Sequence, residues 1–351
     1  MIIYAVQRSV LDTRFGAGAG NWKDYQSCVL LLSDLGKPFK IVEFEDTYYQ
    51  TLICQCSDDV RHLIMNYSWY PEILAAIRTE KPWIKLHVRT HNAEALQHIH
   101  RAELSIIPNY KNIRSIYGTV RLAWRDSKCK RIADTLLGIS EWDDKHYWKL
   151  LPGNVKIEYM PYFSPWSDLK PDIRPLPWEK RERMIVSMPG ARDPISTTMI
   201  RGFNILTQRI CDEQPNSEWR FLLTRGTNKL NKIDSVYEKV EFADIMNPYE
   251  LLCKVRAVAV LTPFGFGIKT TIVDAIDADC HVLVHPKLLH RLPLSIREKC
   301  IVINPKKYRD LGDLIKKLDT PPPPEFMKLN ENLRQMALKA LKRALLRKYE
   351  N

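Results

Sequence analysis

Short apolar runs alternate with stretches of helical spacing along most of this chain, and that alternation restricts the fold more than any other feature. Runs at 2–6, 39–44, 62–67, 84–89, 135–140 and 156–159 read as strands. Helical patterns lie at 24–36, stopped by Gly36 and Pro38, and at 71–79, which opens on a proline in the favoured first turn. A long basic helix is predicted over 111–132 and another from Glu141. Between Pro161 and Arg181 the pattern stops: five prolines and no apolar period mark a linker. The alternation then restarts, with strands at 184–188, 219–224, 239–242, 257–261, 281–285 and 300–303. Helices are predicted near 197–210, 248–256, 269–278 and 308–318, and a TPPPPE break precedes a last one at 326–348.

Strands joined through helices build parallel sheets covered on both faces. The expected fold is therefore α/β, with two Rossmann-like, doubly wound domains and a ligand cleft between the carboxyl ends of their strands. The expected boundaries are 1–165 for the first domain, 166–182 for the linker, 183–320 for the second domain and 321–351 for a basic carboxy-terminal helix.

Composition excludes several classes. Charged residues make up 27% and hydrophobic residues 45%, which is too apolar for a disordered chain. No apolar run reaches the roughly 18 residues of a membrane span. The opening MIIYAVQRSV reads as a strand, with no signal-peptide cleavage pattern after it. The eight cysteines form no C-x-x-C pair, so neither a zinc ribbon nor a redox motif is indicated, and free thiols in a reducing cytoplasm are expected. The net charge of +12 is concentrated in two places. Residues 101–131 hold eight Lys/Arg against two acids, and residues 326–351 hold seven against two. Such segments attract phosphates on nucleotides, lipids or nucleic acid without choosing between them.

Three segments carry the candidate chemistry. In LTPFGFGIKTTIVDA a strand runs into a glycine turn and then a helix. Gly265 and Gly267 would let backbone approach a phosphate at the helix start, where Lys269, Thr270 and Thr271 add a cation and hydroxyls. Asp274, one turn further on, would accept bonds from ribose hydroxyls. In HVRTHNAE, a polar cluster at the end of a predicted strand, His91 is the candidate site histidine. In MPGARDPISTTMIRG, Arg192 and Arg201 lie beyond the second domain's first strand, and arginine's planar fork suits a diphosphate. The bland readings are a capped helix, a structural histidine and solvated arginines.

Together these blocks resemble the retaining family-four glycosyltransferases of the GT-B fold, over about residues 1–320. Arg89, His91, Asn92 and Glu94 fit that family's R-x-H-N-x-E strand end. ADTLLGISEW and KIEYMPYF match its next two blocks. Gly190, Arg192, Arg201 and Gly202 are similar to the glycine-arginine and lysine-glycine pairs that open its second domain, with arginine in the lysine position. GFGIKTTIVDA is similar to its donor helix, with Asp274 in a glutamate position and Phe264 where glutamate often precedes the glycines. The resemblance implies metal-independent transfer of a sugar from a UDP- or GDP-sugar to an acceptor hydroxyl, with no further cofactor. His91 would face the transferring sugar. Arg192, Arg201 and Lys269 would neutralise the leaving diphosphate. Gly18, in the FGAGAG loop, and Gly190 would line the donor site, and Arg89, Asn92 and Glu94 the acceptor side. GT-B enzymes usually end in a helix that crosses back to the first domain.

Other readings stay open on the sequence. The acceptor could be a glycan, a lipid-linked molecule or, as in phage enzymes, a hydroxymethylated base in DNA. The chain could instead be a nucleotide-sugar epimerase or a non-catalytic sugar-nucleotide-binding protein. Either basic helix could meet an anionic membrane, DNA or solvent, so a cytoplasmic location with peripheral membrane contact is the expectation. In the last helix Leu329, Leu333, Met336, Ala340 and Ala344, widened by Leu341 and Leu345, form an apolar stripe expected to pack across the domain junction.

Overall fold

The computed structural model describes residues 1–11, 20–45, 50–103, 110–189, 194–224, 237–244 and 247–346. They form two six-stranded sheets in which every pairing is parallel. The first contains β1 (Ile2–Gln7), β2 (Phe39–Phe44), β3 (His62–Asn66), β4 (Lys85–Thr90), β5 (Thr135–Gly138) and β6 (Lys156–Tyr159), in the order β2-β1-β3-β4-β5-β6. The second contains β7 (Glu182–Ser187), β8 (Arg220–Thr224), β9 (Val240–Ala243), β10 (Val255–Val260), β11 (His281–Val284) and β12 (Cys300–Val302), in the order β12-β11-β10-β7-β8-β9. The strand order reverses between β1 and β3 in the first sheet and between β7 and β10 in the second. Those are the places where a doubly wound sheet leaves a crevice at its carboxyl edge.

β5, β10 and β11 form where they do because they are largely apolar on both faces, and they are buried along their whole length. One boundary differs from expectation. The helix predicted over 248–256 is Pro248–Leu252, and β10 takes over from Val255. Val255 and Ala257 are fully buried and pair with β7 around a bulge, so sheet pairing overrides the helical spacing of a short segment.

The proline-rich stretch is not a loose tether. Tyr162, Phe163 and Trp166 are almost completely buried, and Trp166 stacks on Tyr249 of the second domain with ring centroids 5.7 Å apart. The last helix, Met327–Leu346, returns to the first domain. Its Asn330 exchanges two hydrogen bonds with the Ser164 backbone, and Arg334 Nε donates to Asp34 at 2.9 Å. Arg343 donates to Glu158 of β6 at 2.8 Å. The apolar stripe is buried as expected at Leu329, Leu333, Ala340 and Leu345, with one correction. Met336 is 45% exposed and Ala337 is buried in its place, because 329, 333 and 337 keep a four-residue step that turns 336 outward. Among the described residues no helix is long and apolar enough to cross a membrane, and all eight cysteines are free.

Candidate active site at the domain junction

On the second-domain side, β10 ends at Val260 and the chain turns through Gly265 and Gly267 into the helix Thr270–Asp277. Both glycines have left-handed backbone, φ +125° and +68°. A side chain is also excluded by space. A Cβ on Gly267 would fall 2.4 Å from the carbonyl oxygen of His91 and 2.2 Å from Asn92 Oδ1. The glycine turn of the second domain thus meets the His91 loop of the first. A Cβ on Gly265 would lie 2.7 Å from Lys269 Cε and 2.9 Å from its Nζ, so the lysine side chain folds back across the turn. The helix Pro194–Glu213 follows β7 on the other side of the switch point and carries the exposed Arg201. A Cβ on Gly202 would sit 2.6 Å from the Leu261 carbonyl oxygen, which seats this helix on the end of β10. Thr198 and Thr262 share a 3.0 Å hydrogen bond beside it.

Sequence reasoning missed Arg291. Its guanidinium lies 4.2 Å from the centroid of Phe266 and donates to the carbonyl of Gly265. It follows a short helix after β11 in an unpatterned stretch, so nothing in the sequence marks it. Phe266 is buried among first-domain residues, which anchors the turn across the junction.

On the first-domain side, His91 is buried and stacks on Tyr67, centroids 3.8 Å apart and planes 16° from parallel. Its Nε2 lies 2.6 Å from Asn66 Oδ1 and 3.3 Å from Asp24 Oδ2. Two oxygens on that side hold the ring hydrogen on Nε2. Burial nevertheless pushes the imidazole's pKa down to about 4, with Asp24 opposing the shift and Arg89 reinforcing it. His91 is therefore neutral near pH 7. Tyr67 supports the ring from a left-handed backbone, φ +75°, unusual for an aromatic residue. The sequence places Tyr67 at a strand end, but nothing in it marks this backbone angle.

The two loops are joined by Asp143, which sequence reasoning also missed. Its Oδ2 accepts from Gly267 N at 2.7 Å and from Ala93 N at 3.1 Å, with Ser140 capping the same turn. Burial raises its pKa to about 6, against these hydrogen bonds.

Two predicted site residues are placed elsewhere. Arg89 is 1% exposed. It pairs with Asp24 through Nη2 at 2.5 Å and Nε at 3.0 Å, and donates to the carbonyls of Met160 and Leu137. It offers no surface to an acceptor, because its fork is used to neutralise a buried carboxylate. Asp274 is likewise 1% exposed. Its oxygens accept from Lys23 at 2.5 Å and from Tyr162 at 2.6 Å, so it locks the junction instead of facing a ribose. Thr270 is covered by the first domain: the Cβ position of Gly20 is 3.4 Å from its Oγ1. Thr271 is half-buried. Asn92 donates to Glu94 at 3.1 Å, at the start of the helix Glu94–Glu103. Gly18, Gly190 and Arg192 lie outside the described residues.

No protein-family model matches the chain, and no curated protein does. Solved structures match it along its whole length. A sucrose-phosphate synthase from Thermosynechococcus elongatus superposes with a TM-score of 0.57 at 13% identity, over 98% of this chain and 97% of that one. An E. coli trehalose-6-phosphate protein bound to UDP-2-fluoro glucose gives 0.57 at 9% identity, over 97% and 95%. An alpha-glucosyltransferase in complex with UDP and a 13-mer DNA containing an HMU base gives 0.55 at 11%, over 97% and 94%. At such identities the likeness is one of fold, and the fold is GT-B.

Proposed function

We propose that the chain is a retaining glycosyltransferase that moves a sugar from a nucleoside-diphosphate sugar to an acceptor hydroxyl. The observation that carries this reading is the pairing across the junction. A glycine turn overlaid by Lys269, at the switch point of the second sheet, touches the loop that holds a neutral His91. The neighbours bound to UDP or a UDP-sugar share this fold and support a uridine donor.

The chemical difficulty is a diphosphate that gains charge as it leaves. Lys269, Arg201 and the start of the helix Thr270–Asp277 supply fixed positive potential on that side. Arg291, docked on Phe266, holds the turn that positions Lys269. His91 serves the sugar. A neutral imidazole beside the reacting carbon adds no positive charge where an oxocarbenium-like centre develops, and its Nδ1, away from the Asn66 bond, can accept a hydroxyl. Asn92 and Glu94 would orient the acceptor beside it.

The test is incubation with UDP- and GDP-sugars, measuring released nucleoside diphosphate and the anomeric configuration of the product. Release is expected, with retention, and Lys269→Ala is expected to slow it by about 10²-fold or more. A protein that binds a sugar nucleotide without releasing the diphosphate would make this a binding module. One that returns an altered sugar nucleotide would make it an epimerase.

A further inference from the structure

The helix Tyr110–Ile132 carries a face that the proposed reaction does not use. Ile113, Ile116, Tyr117, Val120 and Trp124 are 72%, 65%, 69%, 62% and 56% exposed. Their spacing puts them on one side of the helix, as a continuous apolar stripe more than three turns long. Single exposed apolar residues are ordinary, but a stripe of five large ones marks a surface that is covered in use. The opposite side is the packed one. Cys129 is buried, and Asp126, the helix's own acid, accepts from Ser68 at 2.8 Å and Tyr147 at 2.6 Å inside the domain. The outer side therefore has no acid from this helix, while Arg114 and Arg121 are exposed along the stripe. Lys128 lies 3.9 Å over the Trp124 ring and 3.8 Å from Glu72 of the neighbouring helix.

We infer that this face lies in the plane of an anionic lipid surface, with the apolar stripe among the acyl chains and the arginines at the headgroups. Two features of the face select this occupant. A second copy of the chain, paired face to face about a two-fold axis, would bring arginine against arginine. A nucleic acid would pair with the cations but leave isoleucine and valine in water. An anionic bilayer takes both the apolar stripe and the positive charge, and an indole and a phenol on the stripe suit the interface. The carboxy-terminal helix, also basic in sequence, does not compete for this role, because its apolar side is buried against the protein. The stripe is also close to the reaction. Gly118 allows the long helix to lie against His98 of the helix Glu94–Glu103, a Cβ there falling 2.6 Å from His98 Nε2. The helix that starts at Glu94 thus links the lipid-facing surface to the His91 loop.

The test is co-flotation of the full chain with vesicles of phosphatidylcholine, with or without phosphatidylglycerol, at several salt concentrations. Binding is expected with phosphatidylglycerol, weakening as salt rises. Ile113→Ser/Val120→Ser is expected to reduce it at least tenfold with an unchanged melting temperature, since both positions are solvent-facing. Arg121→Glu is expected to reduce it on anionic vesicles while leaving any residual binding to neutral ones. A parallel titration uses duplex DNA, and a third measurement uses sedimentation. Equal flotation with both vesicle types, or unaltered flotation of the double variant, would overturn the inference. So would salt-dependent binding to duplex DNA without vesicle binding, or a dimer dissolved by the double variant. None of these outcomes depends on sugar transfer, so the surface and the proposed activity stand or fall separately.

Discussion

The two banks of the junction solve opposite electrostatic problems. The His91 bank is closed: Asp24, Arg89, Asn66 and His91 are linked to one another in the first domain's interior, with 0%, 1%, 0% and 8% exposure. The Gly265 bank is open: Arg201 is exposed, and Lys269 lies half-buried across a turn that faces the other domain. A charge with a buried partner is a structural element, and removing the partner is costly. A charge near the surface stabilises the fold little. The difference separates residues that build the site from residues that would meet a diphosphate.

The largest expected effect tests the closed bank. Arg89→Met leaves Asp24 charged in the interior without its cation, and should cost about 3–5 kcal/mol in urea unfolding. Adding Asp24→Leu should restore much of that loss, because an apolar pair replaces an ion pair. A single variant as stable as the parent would show that the bank is not closed.

Next comes the open bank. Lys269→Ala should leave the unfolding midpoint within about 0.5 kcal/mol of the parent while turnover drops as proposed above. A stability loss equal to that of Arg89→Met would erase the contrast.

The smallest effect is a pH dependence at Asp143, which belongs to both banks. Its carboxyl is raised to about 6 in the folded chain, through burial, and titrates at about 3.9 when unfolded. Below the lower value it is neutral in both states. As pH rises through the upper one, the folded chain must hold a buried charge, so this group's contribution to stability falls. Asp143→Asn keeps an oxygen for Gly267 N and Ala93 N without the charge. It should gain on the parent by on the order of 2 kcal/mol between pH 4 and pH 8, read from urea midpoints. His91 and His87 act in the opposite sense. Burial lowers their pKa values to about 4 and about 3, so their contribution is present above about pH 6.5 and lost as pH falls. A flat difference between Asp143→Asn and the parent would mean that the bridge carries no buried charge.

The strands were legible because a strand buried on both faces is a continuous apolar run bounded by turns. AVAV and HVLV need no partner to be recognised. The glycine turn was legible because strand, glycines and helix are contiguous, and the backbone angles at Gly265 and Gly267 bear that out. What stayed hidden was pairing at long separation. Arg89 in a polar strand end reads like a cleft residue, and the partner that removes it from the cleft is Asp24, 65 positions away. Asp274 reads as a ribose ligand until Lys23, 251 positions away, is placed against it. Local pattern fixes where a polar residue lies on its element, but not what neutralises it. Tyr67 and Met336 show the same limit on a smaller scale. One has a backbone angle and the other a helix face that neighbouring elements decide.

The return of the helix Met327–Leu346 to the first domain has a consequence for synthesis. It leaves the ribosome about 170 residues after β6, or roughly 10 to 30 seconds later at ordinary elongation rates. During that interval Glu158 and the backbone of Ser164 lack the arginine and asparagine that later hold them. The first domain is thus translated early and finished late. Its maturation waits on the completion of the second, and a nascent chain stalled between them would present an unsealed junction to chaperones.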